Sequence, residues 1–295
     1  MNRYTLQWTI SDEAHGSLIR DFLLQHISLS NRLLIKVKQQ QDGGIFVNGE
    51  RKTVRYVLKQ ADKLQIFFPK EEISPYLQPE EMPLHIVYED DDLLVINKRA
   101  GMPTMPSRIH PHGTLANGIL AYYQMKNIPY TVHVVTRLDK DTSGLVLIAK
   151  HQYSHSYLSN MQRNHDMERI YTAIVHGEIK NKQGVINQPI GRHPDSIIER
   201  MVTPEGKEAK TFYDVKKRRY QVTTVNVSLE TGRTHQIRVH FAYIGHPLVG
   251  DELYGGSREK IKRQALHCSV IKFQHPFTQR QLVFTAPLPR DMKFL

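Results

Sequence analysis

A chain of 295 residues with 40% apolar and 23% charged residues can bury the core of two unequal domains or one α/β barrel, and such ordinary usage excludes a fibrous repeat, a collagen-like chain and wholesale disorder. Lys plus Arg total 40 against 29 Asp plus Glu, giving +11 at pH 7 and a pI near 9.6; that excess suits a polyanion, nucleic acid ahead of an acidic membrane, with a merely solubilising surface as the bland alternative. The single cysteine, Cys268, excludes an internal disulfide framework and any zinc site built on two thiolates; with no apolar run near the roughly 20 residues of a membrane span and no signal-peptide core at the N-terminus, a cytoplasmic protein with no membrane partner is expected.

In chain order, Leu18, Phe22 and Leu23 fit one helical stripe, and a second helix is predicted from Ser30 through Lys38, with Leu33, Leu34 and Val37 inward and Gly43 and Gly44 as its stop. Ile45 to Val47 reads as a short strand turning at Asn48-Gly49, a pair suited to positive φ, after which the chain resumes with Val54 to Val57 and ends in Leu64 to Phe68. Residues 1–72 therefore read as a small α/β helix-and-hairpin module. Glu71, Glu72, Glu80 and Glu81 alternate with Pro75, Pro79 and Pro83, which can form neither helix nor central strand, so 73–83 reads as a linker. Beyond it, strands are predicted at Leu84 to Tyr88, Leu93 to Asn97, Leu145 to Ala149, Tyr171 to Val175 and Val225 to Leu229, and helices at His151 to Arg163 and Thr234 to Ile244. The order alternates irregularly, without an internal repeat or a Rossmann glycine fingerprint, so residues 84–295 are expected to form a mixed α+β domain.

Several familiar motifs fail on inspection. Gly44-x-x-x-x-Gly49 continues with Glu50 and Arg51, where a phosphate loop needs Lys and Ser or Thr. No Gly-x-Ser-x-Gly elbow surrounds Ser143. His151 and His155 are four apart on a predicted helix but lack a following glutamate and a third ligand, and Cys268 reads as a buried small hydrophobe.

The informative segment is Thr136-Arg137-Leu138-Asp139-Lys140-Asp141-Thr142-Ser143-Gly144, running into Leu145 to Lys150. Turn-formers directly before a buried strand place a carboxylate at a strand edge, held by local hydrogen bonds; the bland alternative is a structural Asx or Ser/Thr turn. Arg137-Leu138-Asp139-x-x-Thr142-Ser143-Gly144 before an apolar strand ending in Ala149-Lys150 resembles the signature of the RluA-type family of RNA pseudouridine synthases, whose aspartate at this place is catalytic. Further segments match in order: Leu94 to Lys98 with Ala100-Gly101, Gly113-Thr114-Leu115 with Asn117, Tyr171-x-Ala173-x-Val175-x-Gly177, Pro189 to Arg192, Lys207-x-Ala209-x-Thr211, Thr231 to His240 with Gly245-His246-Pro247 and Gly250-Asp251, then Leu266-His267 and His275-Pro276. The match covers about residues 84 to 290. Two positions depart from the family pattern, Thr136 in place of His and Arg99 in place of Pro. Leu29 to Leu33 and Gly44 to Gly49 resemble the S-four type of small RNA-binding domain, although His15 to Ile19 departs from its usual Arg-Leu-Asp start.

The resemblance implies a pseudouridine synthase domain on a mixed, mainly antiparallel sheet with flanking helices, preceded by the RNA-binding module. Isomerising uridine breaks the bond from ribose to base nitrogen, rotates the base and rejoins it through carbon 5, which loses its proton, with no cofactor or metal required. Asp139 would be the nucleophile, at the sugar or the base, or the base that starts elimination. It must be ionised; the family's arginine partner matches Arg238. If Thr234 caps a helix through Ile244, then Ile237, Phe241 and Ile244 form its apolar stripe, with Arg238 beside it and His235 on the side of Arg238. Tyr171 would stack on the base and is a candidate for removing the carbon 5 proton. A stacked uridine must be flipped out, and Arg137, on the same side of an extended segment as Asp139, would fill the gap. Lys207, Lys210, Lys216, Lys217, Arg218 and Arg219 are candidate phosphate contacts, with a solvated face as the rival reading.

The sequence therefore points to a cytoplasmic, cofactor-independent, monomeric RNA pseudouridine synthase acting on structured RNA, ribosomal in preference to transfer RNA. Its rivals are a non-catalytic RNA-binding or ribosome-assembly protein that keeps the fold, and an Asp-dependent hydrolase of another polyanion.

Overall fold

The computed structural model describes residues 4–27, 29–40 and 43–295, so residues 1–3, 28, 41 and 42 of the expected first module lie outside the described residues. The first unit runs β1 (Thr5–Thr9), α1 (Ile19–Asp21), which widens into a π turn at Phe22–His26, α2 (Asn31–Gln39), β2 (Gly44–Val47), β3 (Glu50–Arg51) and β4 (Lys63–Phe67). Its four strands pair antiparallel in the order β1-β4-β2-β3. Ser30 caps α2, its hydroxyl accepting from Leu33 N at 3.3 Å, and Leu33, Leu34 and Val37 are buried as their spacing predicts. Asn48 and Gly49, at φ 52° and 83°, make the tight turn.

Three details differ from the sequence reading. Leu18 is exposed while Ile19 is fully buried, because Leu18 is the extended residue just before α1, bridged to Val57, and not part of the helix. Val54 to Val57 makes a turn and a single bridge to Leu18 rather than a strand. β1 escapes the pattern because only Leu6 and Trp8 of its five residues are half-buried, as on an edge strand.

The second unit continues with β5 (Ile86–Glu89), β6 (Leu93–Lys98), α3 (Leu115–Met125), β7 (His133–Val134), β8 (Ser143–Ala149), α4 (Gln152–Arg163), β9 (Glu168–His176) and β10 (Gln183–Asn187). A two-strand ribbon, β11 (Ile190–Arg192) and β12 (Arg200–Val202), precedes the long hairpin β13 (Lys210–Arg219) and β14 (Val222–Leu229). Then come α5 (Gln236–Tyr243), β15 (Leu266–Gln274), β16 (Gln281–Thr285) and the short α6 (Arg290–Lys293). The main sheet has the order β10-β13-β14-β9-β15-β8-β6-β5, with β16 on β15 and β7 on β8. Only the short pairing of β15 with β8 is parallel among the described pairs, so the sheet is mixed and mainly antiparallel, an α+β unit. Period-two alternation on β9 sends Tyr171, Ala173 and Val175 to the main core with Ile237 and Phe241 of α5, and Ile174 to a smaller cluster with Val222, Val249 and Met292.

Residues 68–85 carry neither helix nor strand, yet this Pro/Glu-rich stretch is pinned along the second unit. The Glu71 carboxylate accepts from Thr131 N at 3.1 Å and Gln152 N at 2.7 Å and pairs with His133 Nε2 at 2.7 Å. Leu77 is buried in the main core, and Asn117 Nδ2 donates to Gln78 O at 2.7 Å. Asn117 also closes a reciprocal cap with Thr114 at the start of α3, which explains the Gly113-Thr114-Leu115 and Asn117 match structurally.

The two units meet at an aromatic seam. Tyr4 stacks on His151 with ring centroids 3.6 Å apart and donates to Asp92 Oδ1 at 3.3 Å, where His151 Nε2 also lies at 2.8 Å. Tyr153, from α4, is buried in the core of the first unit and donates its hydroxyl to Ile27 O at 2.9 Å.

Candidate active site

The site is built on the turn that enters β8. Thr142 N donates to Asp139 O at 3.1 Å, Lys98 Nζ to Lys140 O at 3.1 Å and Arg263 Nη1 to Asp141 O at 3.2 Å, so three donors take three successive carbonyls. Lys98 is almost wholly buried at the end of β6 and also donates to Arg99 O at 3.0 Å and Met102 O at 2.7 Å. Burial pulls its ammonium down to about 7, against the opposing charges of Asp139 and Asp141. Three carbonyl acceptors nonetheless require three N–H hydrogens, which only the protonated amine has. Gly144 lets β8 run into this turn beside β15: its φ is 113°, and a Cβ there would stand 2.2 Å from Cys268 O. On the other side, the Thr104 hydroxyl donates to Leu138 O at 2.7 Å and accepts from Leu138 N at 3.2 Å.

Asp139 is half-buried in a cavity of about 490 Å³ lined by Arg137, Arg169, Tyr171, His235 and Arg238 among others. Arg238 Nη1 lies 3.5 Å from Asp139 Oδ2, and His235 Nε2 lies 3.9 Å from the same oxygen. The rest of the guanidinium is held away from solvent: Nε and Nη2 donate to Asp251 Oδ2 and Oδ1 at 2.7 and 2.8 Å, and Cζ sits 4.9 Å over the Tyr254 ring. Burial opposes the charge on Arg238, but the Asp251 carboxylate outweighs it and holds the guanidinium above its ordinary value.

Asp139, Tyr171, Arg238 and Arg137 are thus brought to one cavity, as the sequence reading expects. Arg137 is exposed and Leu138 buried, the alternation that puts Arg137 and Asp139 on one side. Tyr171 is buried on β9, its hydroxyl accepting from Arg169 Nη1 at 3.2 Å; burial pushes the phenol up, with Arg169 opposing. One expectation is corrected. The helix begins at Gln236, and the residue before it is His235 in the left-handed region at φ 57°, so Thr234 is not its cap. Gln236 holds this bend: its Oε1 accepts from Arg233 N and Thr231 Oγ1 at 2.9 and 2.8 Å, and its Nε2 donates to Thr211 Oγ1 at 3.0 Å.

The six candidate phosphate contacts do not stay together. Lys207 precedes β13 and edges a cavity adjoining the first, while Lys210 opens β13 beside the Thr211 and Leu229 pair, with its ammonium on Glu230 at 2.8 Å. Lys216, Lys217, Arg218 and Arg219 occupy the other end of the strand, about 20 Å away at ~3.3 Å per residue. There Lys216 pairs with Asp214, Arg218 donates to Ile179 O and Lys180 O at 2.9 and 3.0 Å, and Arg219 donates to Leu295 O at 3.0 Å. A second cavity of about 470 Å³ adjoins the first through Gly232, Arg233 and Thr234 and is edged by Arg192, Arg200 and Lys207. Sequence reasoning gave no role to Arg192, Arg200, Arg233, Asp251 or Tyr254, although Arg192, Arg233 and Asp251 lie in the matched segments Pro189 to Arg192, Thr231 to His240 and Gly250-Asp251.

Among the described residues, Asp90, Asp92 and His275 bring potential ligand atoms within 4.8 Å of one another. His275 Nδ1, however, accepts from Phe277 N and Thr278 N, both at 3.1 Å, so Nε2 carries the hydrogen and donates to Asp90 Oδ2 at 3.0 Å. That imidazole ties a loop to the turn before β6 and offers no lone pair to a metal.

A family model described as RNA pseudouridylate synthase matches residues 92–243. An uncharacterized RNA pseudouridine synthase of Bacillus subtilis, YjbO, is 52% identical over 269 residues, covering 91% of this chain and 95% of the relative. The ribosomal large subunit pseudouridine synthase D of Haemophilus ducreyi is 36% identical over 306 residues, covering 97% of this chain and 92% of the relative. Among solved structures, human RNA Pseudouridylate Synthase Domain Containing 1 superposes with a TM-score of 0.58 at 24% identity, covering 73% of this chain and 86% of that one, a likeness of fold.

Proposed function

The chain belongs to the RNA pseudouridylate synthase family, an isomerase acting on RNA, and on that footing we propose that Asp139 is the carboxylate that carries the reaction and that ribosomal RNA is its substrate. The observation that carries the first part is the half-buried Asp139 in the cavity with Arg238 Nη1 3.5 Å from its Oδ2. A guanidinium there favours the anion, the form needed to attack the ribose or the base, or to remove a sugar proton. The C1′–N1 bond breaks, the base turns, C5 bonds to C1′, and the C5 proton leaves to solvent. Tyr171 is the wall on which the base stacks; its phenol, pushed up by burial, keeps its hydrogen at neutral pH, which favours stacking over proton removal. Arg137 takes the place of the flipped nucleotide in the RNA stack.

Ribosomal RNA is supported by the relatives named ribosomal large subunit pseudouridine synthase D, similar over nearly the whole chain. Phosphates of the strand entering the site would meet Lys207, Lys210 and the arginines of the adjoining cavity, and the first unit, as an S-four-type module, would add RNA affinity. A cytoplasmic monomer is consistent with this role.

The experiment is tritium release from RNA labelled at carbon 5 of its uridines, comparing the native protein with Asp139→Asn on ribosomal and transfer RNA. Release from ribosomal RNA that falls by about 10³-fold or more in the variant supports the reading. No release by the native protein, with RNA binding intact, would favour the binding-protein alternative.

A further inference from the structure

We propose that Tyr254 and His235 are positioning residues for Asp139: the Tyr254 hydroxyl fixes the His235 tautomer that presents an Nε2 hydrogen to Oδ2, while the Tyr254 ring seats Arg238 on the same oxygen. This rests on the reading of Asp139 as the catalytic carboxylate.

The hydrogens can be counted. Arg200 N donates to the Tyr254 hydroxyl oxygen at 3.0 Å, and that oxygen lies 2.8 Å from His235 Nδ1. A backbone amide only donates, so the hydroxyl accepts from Arg200 and has its own hydrogen to give to Nδ1. Nε2 then carries the imidazole hydrogen and directs it toward Asp139 Oδ2, 3.9 Å away. The opposite tautomer would set a nitrogen lone pair against the carboxylate and leave the tyrosine hydrogen without an acceptor. Burial lowers the proton affinity of His235, Asp139 and Asp251 opposing and Arg238 and Arg200 reinforcing, so the ring is neutral and the choice between tautomers is real.

Two further observations point the same way. His235 sits at φ 57°, a conformation unfavourable for a non-glycine residue and tolerated where the surroundings over-determine it. The Tyr254 ring meets the imidazole edge-on at 5.7 Å and lies under the Arg238 guanidinium at 4.9 Å, so one side chain aligns both donors. Both act on Oδ2, which orients Oδ1 toward the substrate.

The test uses the native protein and four variants. The amide nitrogen of Gln reaches the place of imidazole Nε2, whereas that of Asn reaches the place of Nδ1. His235→Gln should therefore keep at least about ten times the kcat of His235→Asn, and Tyr254→Phe should lose up to about tenfold in kcat with KM within about twofold, the upper scale of one lost hydrogen bond between neutral groups. Nitrogen-15 NMR of labelled histidines should show His235 as the Nε2–H tautomer in the native protein, a readout that needs neither variant nor turnover. An Nδ1–H tautomer, or equal activity of the Asn and Gln variants, overturns the inference. Turnover by Asp139→Asn would instead overturn the reading beneath it, and the tautomer measurement keeps the two failures apart.

Discussion

Asp251 never reaches Asp139, yet it takes two of the donors of Arg238, Nε and Nη2, and leaves Nη1 for Asp139. Asp251→Asn leaves a buried guanidinium short of its counter-charge, so stability should fall by about 3 kcal/mol in denaturant titration and tritium release should fall with it. A variant as stable as the native protein would show that Asp139 alone suffices as partner. A second residue sets an acid limit. Burial pushes His267 down to about 4, with the Ala286 carbonyl opposing. Between that value and the ordinary 6.5 the unfolded chain binds more protons than the folded one, so this contribution is whole above pH 6.5 and is lost as pH falls toward 4, about 3 kcal/mol in all. Stability measured against pH should be flatter in His267→Asn over that range. Asp139, Tyr171 and Arg238 were legible in the sequence because each sits in a contiguous motif. Lys98 and Asp251 also lie in matched segments and Tyr254 in none, but their roles rest on partners elsewhere in the chain, and a linear pattern does not show which carbonyl or guanidinium a side chain reaches.

The long hairpin of β13 and β14 shows how an element can separate what the sequence groups. Six basic residues within 13 positions read as one patch, but an extended strand carries them to opposite ends; Lys210 pairs with Glu230 at 2.8 Å just as Lys216 pairs with Asp214, so the place of Lys207 at the edge of the adjoining cavity is what sets the two ends apart. Lys207→Glu with Lys210→Glu should therefore weaken RNA binding and reduce its salt slope by roughly 1 to 2, while reversal at Lys216 and Lys217 should change the slope by less. Equal effects at both ends would restore the single patch. The strands that carry the site were read correctly from alternation and apolar runs, and α2 and α4 from their stripes. Elements with a weak stripe were missed. β1 lies on an edge, and α3 is apolar almost all round because the main core encloses it.

For the whole molecule, the Tyr4, His151 and Asp92 contacts and the Tyr153 hydroxyl join two hydrophobic cores into one body. Tyr4→Ala should loosen that joint by about 1 to 2 kcal/mol, seen as faster amide exchange in β1 and β4 with little change in β8. Uniform exchange in native and variant protein would mean that Tyr153 and the strap of residues 68–85 hold the units together without Tyr4. A joint of this kind also fixes a distance. If the first unit grips RNA as proposed, an RNA that touches both units must present its uridine at a set span from that grip, and the molecule would measure its target with a ruler as well as reading it with a pocket. Helices one base pair longer or shorter between grip and uridine would then be poor substrates even with every contacted nucleotide unchanged.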